Sequence, residues 1–137
     1  RGRTEILLSE ISVENLLDRN KYLVVSVNIK RLELLDLFEK TGFTEAYFVD
    51  EKGKLKGKTK VNSILTSNTE NLIQDNNPLY IEKSSNISDA IIKISNFVGE
   101  SVPVVDGDRT LKGVVTESDL FIEYLKVQDK ISEIEKD

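Results

Sequence analysis

The chain repeats itself: a shift of 56 positions lays residues 12–65 over 68–121 without a gap. A unit of this length present twice points to a pseudo-symmetric molecule built from two copies of one supersecondary unit. The register holds at both ends. Glu14-Asn15-Leu16-Leu17 and Asn20 return as Glu70-Asn71-Leu72-Ile73 and Asn76, while Val49-Asp50 with Leu55-Lys56-Gly57 returns as Val105-Asp106 with Leu111-Lys112-Gly113. Two similar β-turn-β stretches would explain the second block but not the first.

Local patterns fill in the unit. In the second copy, Pro78-Leu79-Tyr80-Ile81 follows the turn-like Asp75-Asn76-Asn77 and predicts a strand. Asn86, three residues before Asp89, predicts a capped helix whose Ala90, Ile91, Ile94 and Phe97 form one buried face, with Gly99 as its stop. Val102-Pro103-Val104-Val105, a turn over 106–109 and a strand over 111–115 make a hairpin, with Pro103 near the strand's start or edge. Thr116 opens a last helix carrying Leu120, Phe121, Tyr124 and Leu125. The unit is β-α-β-β-α, which places the chain in the α/β (α+β) class.

The first copy reads alike. Leu23-Val24-Val25 is its opening strand, Leu34, Leu35 and Phe38 occupy the helix positions of Ala90, Ile91 and Ile94, and Ala46 to Val49 precede the turn Asp50-Glu51-Lys52-Gly53. Its second hairpin strand is unusually polar. Lys58-Thr59-Lys60 stands where Val114-Val115-Thr116 stands later, which predicts a wetter edge or a neighbouring negative group.

Composition narrows the chemistry. The chain of 137 residues is 39% hydrophobic and 31% charged, as in an ordinary globular protein, and no apolar run approaches the roughly 20 residues that cross a bilayer. The first residues show no signal-peptide or transit-peptide pattern. Cys and His are both absent, which removes the usual ligands of zinc, iron and copper and the usual nucleophile and base. No catalytic constellation and no metal site are expected. A net charge of −5 argues against general nucleic-acid binding. Met is absent even at position 1, so the chain is expected to be a fragment of something longer.

Val102-Pro103-Val104-Val105-Asp106, the hairpin turn, and Gly113-Val114-Val115-Thr116-Glu117-Ser118-Asp119-Leu120 resemble the signature of a CBS domain, and the tandem resembles a CBS pair, or Bateman module. The resemblance implies two CBS repeats, 12–67 and 68–125, packed sheet to sheet, with helical extensions at 1–11 and 126–137. It also implies a regulatory, non-enzymatic module with no obligatory cofactor, for which an adenine nucleotide (ATP, ADP or AMP) is a regulatory ligand. In the family, the Gly-x-x-Thr-x-x-Asp spacing marks the phosphate and ribose site, which falls here on Thr116 and Asp119. The chemistry is reasonable, since a helix N-terminus offers unsatisfied N–H groups and a carboxylate accepts from both ribose hydroxyls. Adenine would then lie between Tyr80, Val102 and Val104. The same Thr-x-x-Asp spacing is also a capping box that needs no ligand.

The first cleft departs from the pattern. Lys60 and Ser63 stand where Thr116 and Asp119 stand in the second, so at most one competent site is expected, with Lys58 and Lys60 as a solvated basic strand end. The leading segment, Tyr124 and the phrase Ser101-Val102-Pro103-Val104-Val105-Asp106 resemble the cytoplasmic tail of ClC-type chloride channels and transporters. That implies a cytoplasmic domain joined to an upstream membrane transport domain, and a homodimer formed through the CBS modules. A ligand-free dimerisation module, or a nucleotide sensor on another transporter or enzyme, is the alternative. At the ends, Ile6, Leu7, Leu8 and Ile11 predict a leading helix turn, and Val127, Ile131 and Ile134 recur at helical spacing in a charged extension.

Overall fold

The computed structural model describes residues 2–68 and 70–135. Each copy of the repeat supplies one three-stranded sheet, of order β1-β2-β3 in the first and β4-β5-β6 in the second. In the first sheet β1 (Leu23–Ser26) runs parallel to β2 (Glu45–Val49), which pairs antiparallel with β3 (Leu55–Lys60). In the second, β4 (Ile81–Glu82) runs parallel to β5 (Val102–Val105), and β6 (Leu111–Val115) flanks β5 on the other side. The alternation of one parallel and one hairpin pairing follows from the β-α-β-β order, because a parallel neighbour needs a crossover helix.

Those crossover helices are α2 (Arg31–Thr41) and α4 (Ile87–Lys93). Helix α2 buries Leu34 and Phe38 one turn apart and ends at Gly42, whose φ of 73° closes the C-terminus with an N–H to the Phe38 carbonyl. Helix α4 begins as its spacing predicts, with the Asn86 side chain accepting the Asp89 N–H at 2.8 Å. It ends sooner than expected. Ile94 is already the cap, Ser95 turns its hydroxyl back to the Ile92 carbonyl, and Gly99 plays no part in stopping it.

Contacts divide the chain into two compact units that differ from the sequence repeats. One comprises residues 1–20, 80–106 and 112–137, the other 21–79 and 107–111. The leading segment of each copy therefore packs with the body of the other. In the first of these units, Val13 donates to the Ser85 carbonyl at 2.8 Å and Ile87 to that of Ile11 at 2.9 Å. In the second, Lys58 and Asp75 exchange both backbone hydrogen bonds, at 2.9 and 3.0 Å.

Two glycines make these packings close. A Cβ on Gly113 would stand 3.0 Å from Leu17 Cδ2, and one on Gly57 would stand 2.4 Å from Ile73 Cγ2. Leu17 and Ile73 are themselves 56 residues apart, so the repeated glycine and the repeated apolar residue form one contact made twice.

The remaining helices complete each unit. Helix α1 (Arg3–Leu8) buries Leu8 and leads into a 3-10 segment, Val13–Arg19, that buries Val13 and Leu16. Helix α3 (Val61–Thr66) follows β3 and buries Ile64. Helix α5 (Glu117–Glu135) runs unbroken for 19 residues, absorbing most of the expected C-terminal extension. Gln128 reaches the Thr4 hydroxyl at 2.7 Å, and Val127 is buried while Ile134 is exposed. Lys136 and Asp137 of that extension lie outside the described residues.

Lys58 is not on a solvated strand end but beside a negative group, the other alternative that the polar strand predicts. It is 8% exposed, its ammonium 3.0 Å from the Glu45 carboxylate and 5.3 Å from the centre of the Tyr47 ring. The hairpin brings Tyr47 opposite Lys58, so the side chains of the pair cover one another and keep water out. Lys60 is exposed, as expected. Pro103 sits at the second position of β5, one residue before the ladder with β4 begins at Val104.

Candidate functional site

The turn from β6 into α5 brings Thr116 and Asp119 together. The Thr116 N–H donates to Asp119 Oδ2 at 2.8 Å, and the Asp119 N–H donates to the Thr116 hydroxyl at 3.1 Å. This is the reciprocal capping box that the spacing permits. The same Oδ2 accepts from the Asn20 amide at 2.6 Å. Asp119 is 7% exposed, yet its second oxygen, Oδ1, takes no hydrogen bond from the described residues.

Sequence reasoning missed the residues that hold this carboxylate. Asn20 stood out only as a repeated position, and no local pattern ties it to a helix 99 residues away. One turn along α5, buried Glu123 pairs with the Arg19 guanidinium and lies 3.5 Å from the Lys126 ammonium. Arg19 and Asn20 thus clamp two successive turns of α5, and the start of that helix is acidic, with Glu117, Asp119 and Glu123 within two turns.

The other expected residues lie apart from this pair in character. Tyr80, just ahead of β4, is half-buried with the Lys93 ammonium 4.6 Å from its ring centre, a cation–π contact that the sequence pattern did not signal. Val102 and Val104 are 1% and 0% exposed, packed as core residues of the central strand β5. They are core residues, not an open wall.

The corresponding position of the first copy has no such arrangement. Lys60 precedes α3 without any side-chain cap, and α3 is only six residues long. Among the described residues, no cluster of His, Cys, Asp and Glu could hold a metal, and no helix is long and apolar enough to cross a membrane.

Residues 71–126 match the CBS domain family, and the chain as a whole has the fold of a CBS domain pair. No curated protein sequence matches the chain. Among solved structures, CBSX2 in complex with AMP is 21% identical, with a TM-score of 0.70 over 86% of this chain and 98% of that one. The CBS domain pair of protein MJ0100, in complex with 5′-methylthioadenosine and S-adenosyl-L-methionine, is 27% identical, with a TM-score of 0.65 over 80% and 96%. The cytosolic domain of the Mg2+ channel MgtE in complex with ATP is 21% identical, with a TM-score of 0.64 over 73% of this chain and 44% of that one.

Proposed function

We propose that this CBS pair is a regulatory, non-catalytic module that senses an adenine nucleotide or related adenosyl compound through its second repeat and modulates an attached membrane transport protein. The observation that carries the reading is the Asp119 carboxylate: Oδ2 is fixed from two sides, and Oδ1 is left as an acceptor for a ribose hydroxyl. Thr116 and the first N–H groups of α5 would face a phosphate, Tyr80 would stack on adenine, and Val102 and Val104 would back that contact from the core. The ligands of the three similar structures support this choice, because AMP, ATP, methylthioadenosine and S-adenosylmethionine share adenosine while only two of them carry phosphate. A site centred on the ribose suits that common part.

The parent is proposed to be a membrane transporter whose cytoplasmic side bears this module. The ClC-type chloride channel tail is the finer reading, carried by the phrase around Pro103 and by Tyr124, and a Mg2+ transport protein is the second, carried by the similarity to MgtE. A homodimer fits α5, whose Phe121, Ile122 and Leu125 are exposed and whose Phe121 and Tyr124 rings stack with centres 6.5 Å apart. A ligand-free dimerisation module is favoured by one observation, that the capping box satisfies Thr116 and Asp119 without any ligand.

Titration calorimetry with AMP, ADP and ATP, paired with sedimentation of the same samples, separates these readings. Binding should appear with at least one of them, and Asp119→Ala should weaken it tenfold or more, while Asp119→Asn, which keeps a capping oxygen, should retain the folded state. Absence of heat for every nucleotide with a sedimenting dimer would leave the purely structural reading standing.

A further inference from the structure

The second unit contains a pocket of about 400 Å³, part polar and part apolar with Ile64, Leu72 and Ile73 on its walls, that the proposed nucleotide site does not use. Its lining brings together Arg31, Ser63, Thr66, Ser67, Asn71 and Gln74, with no carboxylate among the lining residues. In a chain of net charge −5, a pocket with one cation, three hydroxyls, two amides and no acid is a local reversal of sign.

The repeat shows how the pocket arises. Arg31 corresponds to Ile87, Ile64 to Leu120 and Leu72 to Leu16, and in the first unit Ile87, Leu120 and Leu16 are 0%, 2% and 1% exposed. In the second unit Ile64 is still buried and Leu72 still apolar, and only the place of Ile87 changes in kind, to Arg31, whose guanidinium donates to the Ile64 carbonyl at the end of a six-residue helix. One carbonyl occupies only part of a guanidinium's five N–H donors, and the remainder of a fixed planar fork suits an oxyanion.

We infer that this pocket is a second binding site, specific for a small molecule carrying a phosphate or similar oxyanion, with Arg31 as its anchor. The volume lies within the range of roughly 300–1,000 Å³ usual for small-molecule sites, so it accommodates more than the bare ion. Ser63 on α3 and Gln74 from the leading segment of the second repeat would supply neutral donors around that group, while the Thr66 hydroxyl is already committed to the Asn62 carbonyl at 2.8 Å. Ligand there would tie α2, α3 and the leading segment to one another, all within one unit.

Inorganic phosphate is the minimal probe, with sodium chloride at matched ionic strength as the reference. Phosphate should raise the melting temperature of the intact chain in a saturable manner, Arg31→Gln should reduce its apparent affinity at least tenfold, and Arg31→Lys should retain part of it. Arg31→Ile, which carries the second repeat's residue, should remove the phosphate effect without lowering the melting temperature in chloride. All three variants should keep the response to adenine nucleotide, which makes failure here distinct from failure of the nucleotide site. Equal stabilisation of wild type and Arg31→Gln by phosphate, or none in wild type, would overturn the inference.

Discussion

The two hairpins, β2–β3 and β5–β6, occupy the same place in their repeats and solve the burial of their strands in opposite ways. In β5–β6, Val102, Val104, Val114 and Val115 are buried apolar residues. In β2–β3, the positions of Ser101 and Val114 are held by Glu45 and Lys58, a buried ion pair, and the position of Val115 by Thr59, whose buried hydroxyl has no hydrogen-bond partner among the described residues. At these positions one hairpin relies on the hydrophobic effect alone, whereas the other adds charge compensation to its buried Ala46, Tyr47, Phe48 and Leu55. Taking a charge out of water is costly unless its partner follows, so the first hairpin is the more vulnerable to single substitutions.

The largest expected effect tests that difference. Glu45→Ala leaves the Lys58 ammonium buried beside Tyr47 and should cost about 3–5 kcal/mol in denaturant unfolding. The double variant Glu45→Leu with Lys58→Met, apolar and similar in volume to the pair it replaces, should be as stable as wild type or up to about 1–4 kcal/mol more stable. A double variant that loses as much as the single one would show that the ion pair is itself a net source of stability, and the contrast between the hairpins would collapse.

The next effect concerns the close packing that both repeats share. Gly57→Ala drives a Cβ against the branched Ile73 side chain at 2.4 Å and the Asp75 carbonyl at 3.0 Å, whereas Gly113→Ala meets the more pliable Leu17 at 3.0 Å. Overpacking of this kind costs about 1–3 kcal/mol, and Gly57→Ala should fall toward the upper end with Gly113→Ala clearly below it. Urea midpoints of the two variants check the order. A reversal would mean that the leading segment of the second repeat yields more easily than that of the first.

These contacts mark the limit of what was legible in the sequence. Elements set by neighbouring residues were readable: the Asn86–Asp89 cap, the Leu34–Phe38 face, the hairpin turn after Val49, and the Thr116–Asp119 spacing, which allowed both a cap and a ligand site. Features made by distant residues were not. A negative group near Lys58 was one of two alternatives, but Glu45 could not be named because it lies across a hairpin with a register shift after Phe48, and Asn20 meets Asp119 only because the leading segments exchange bodies. Arg31 carries no local signal, and only comparison with buried Ile87 gives it meaning.

The smallest effect lies at the hairpin tips, where the repeats differ in one backbone dihedral's cost. Gly53 has φ of 80° and its counterpart Arg109 has φ of 66°, the left-handed region that a side chain occupies at a penalty. The turn is nonetheless imposed on Arg109, because Leu55 donates to its carbonyl at 3.0 Å and Leu111 donates to that of Gly53 at 3.0 Å. Arg109→Gly should therefore stabilise by a few tenths to about 1 kcal/mol, the relief of strain being partly offset by the greater freedom of glycine in the unfolded chain. Gly53→Ala should destabilise by about 1 kcal/mol, with strain as the cause, since the new Cβ would stand at an ordinary 3.5 Å from Thr110. If both substitutions leave the unfolding midpoint unchanged, the tips relax independently of the hydrogen bonds that join them, and the strained turn belongs to the loop alone.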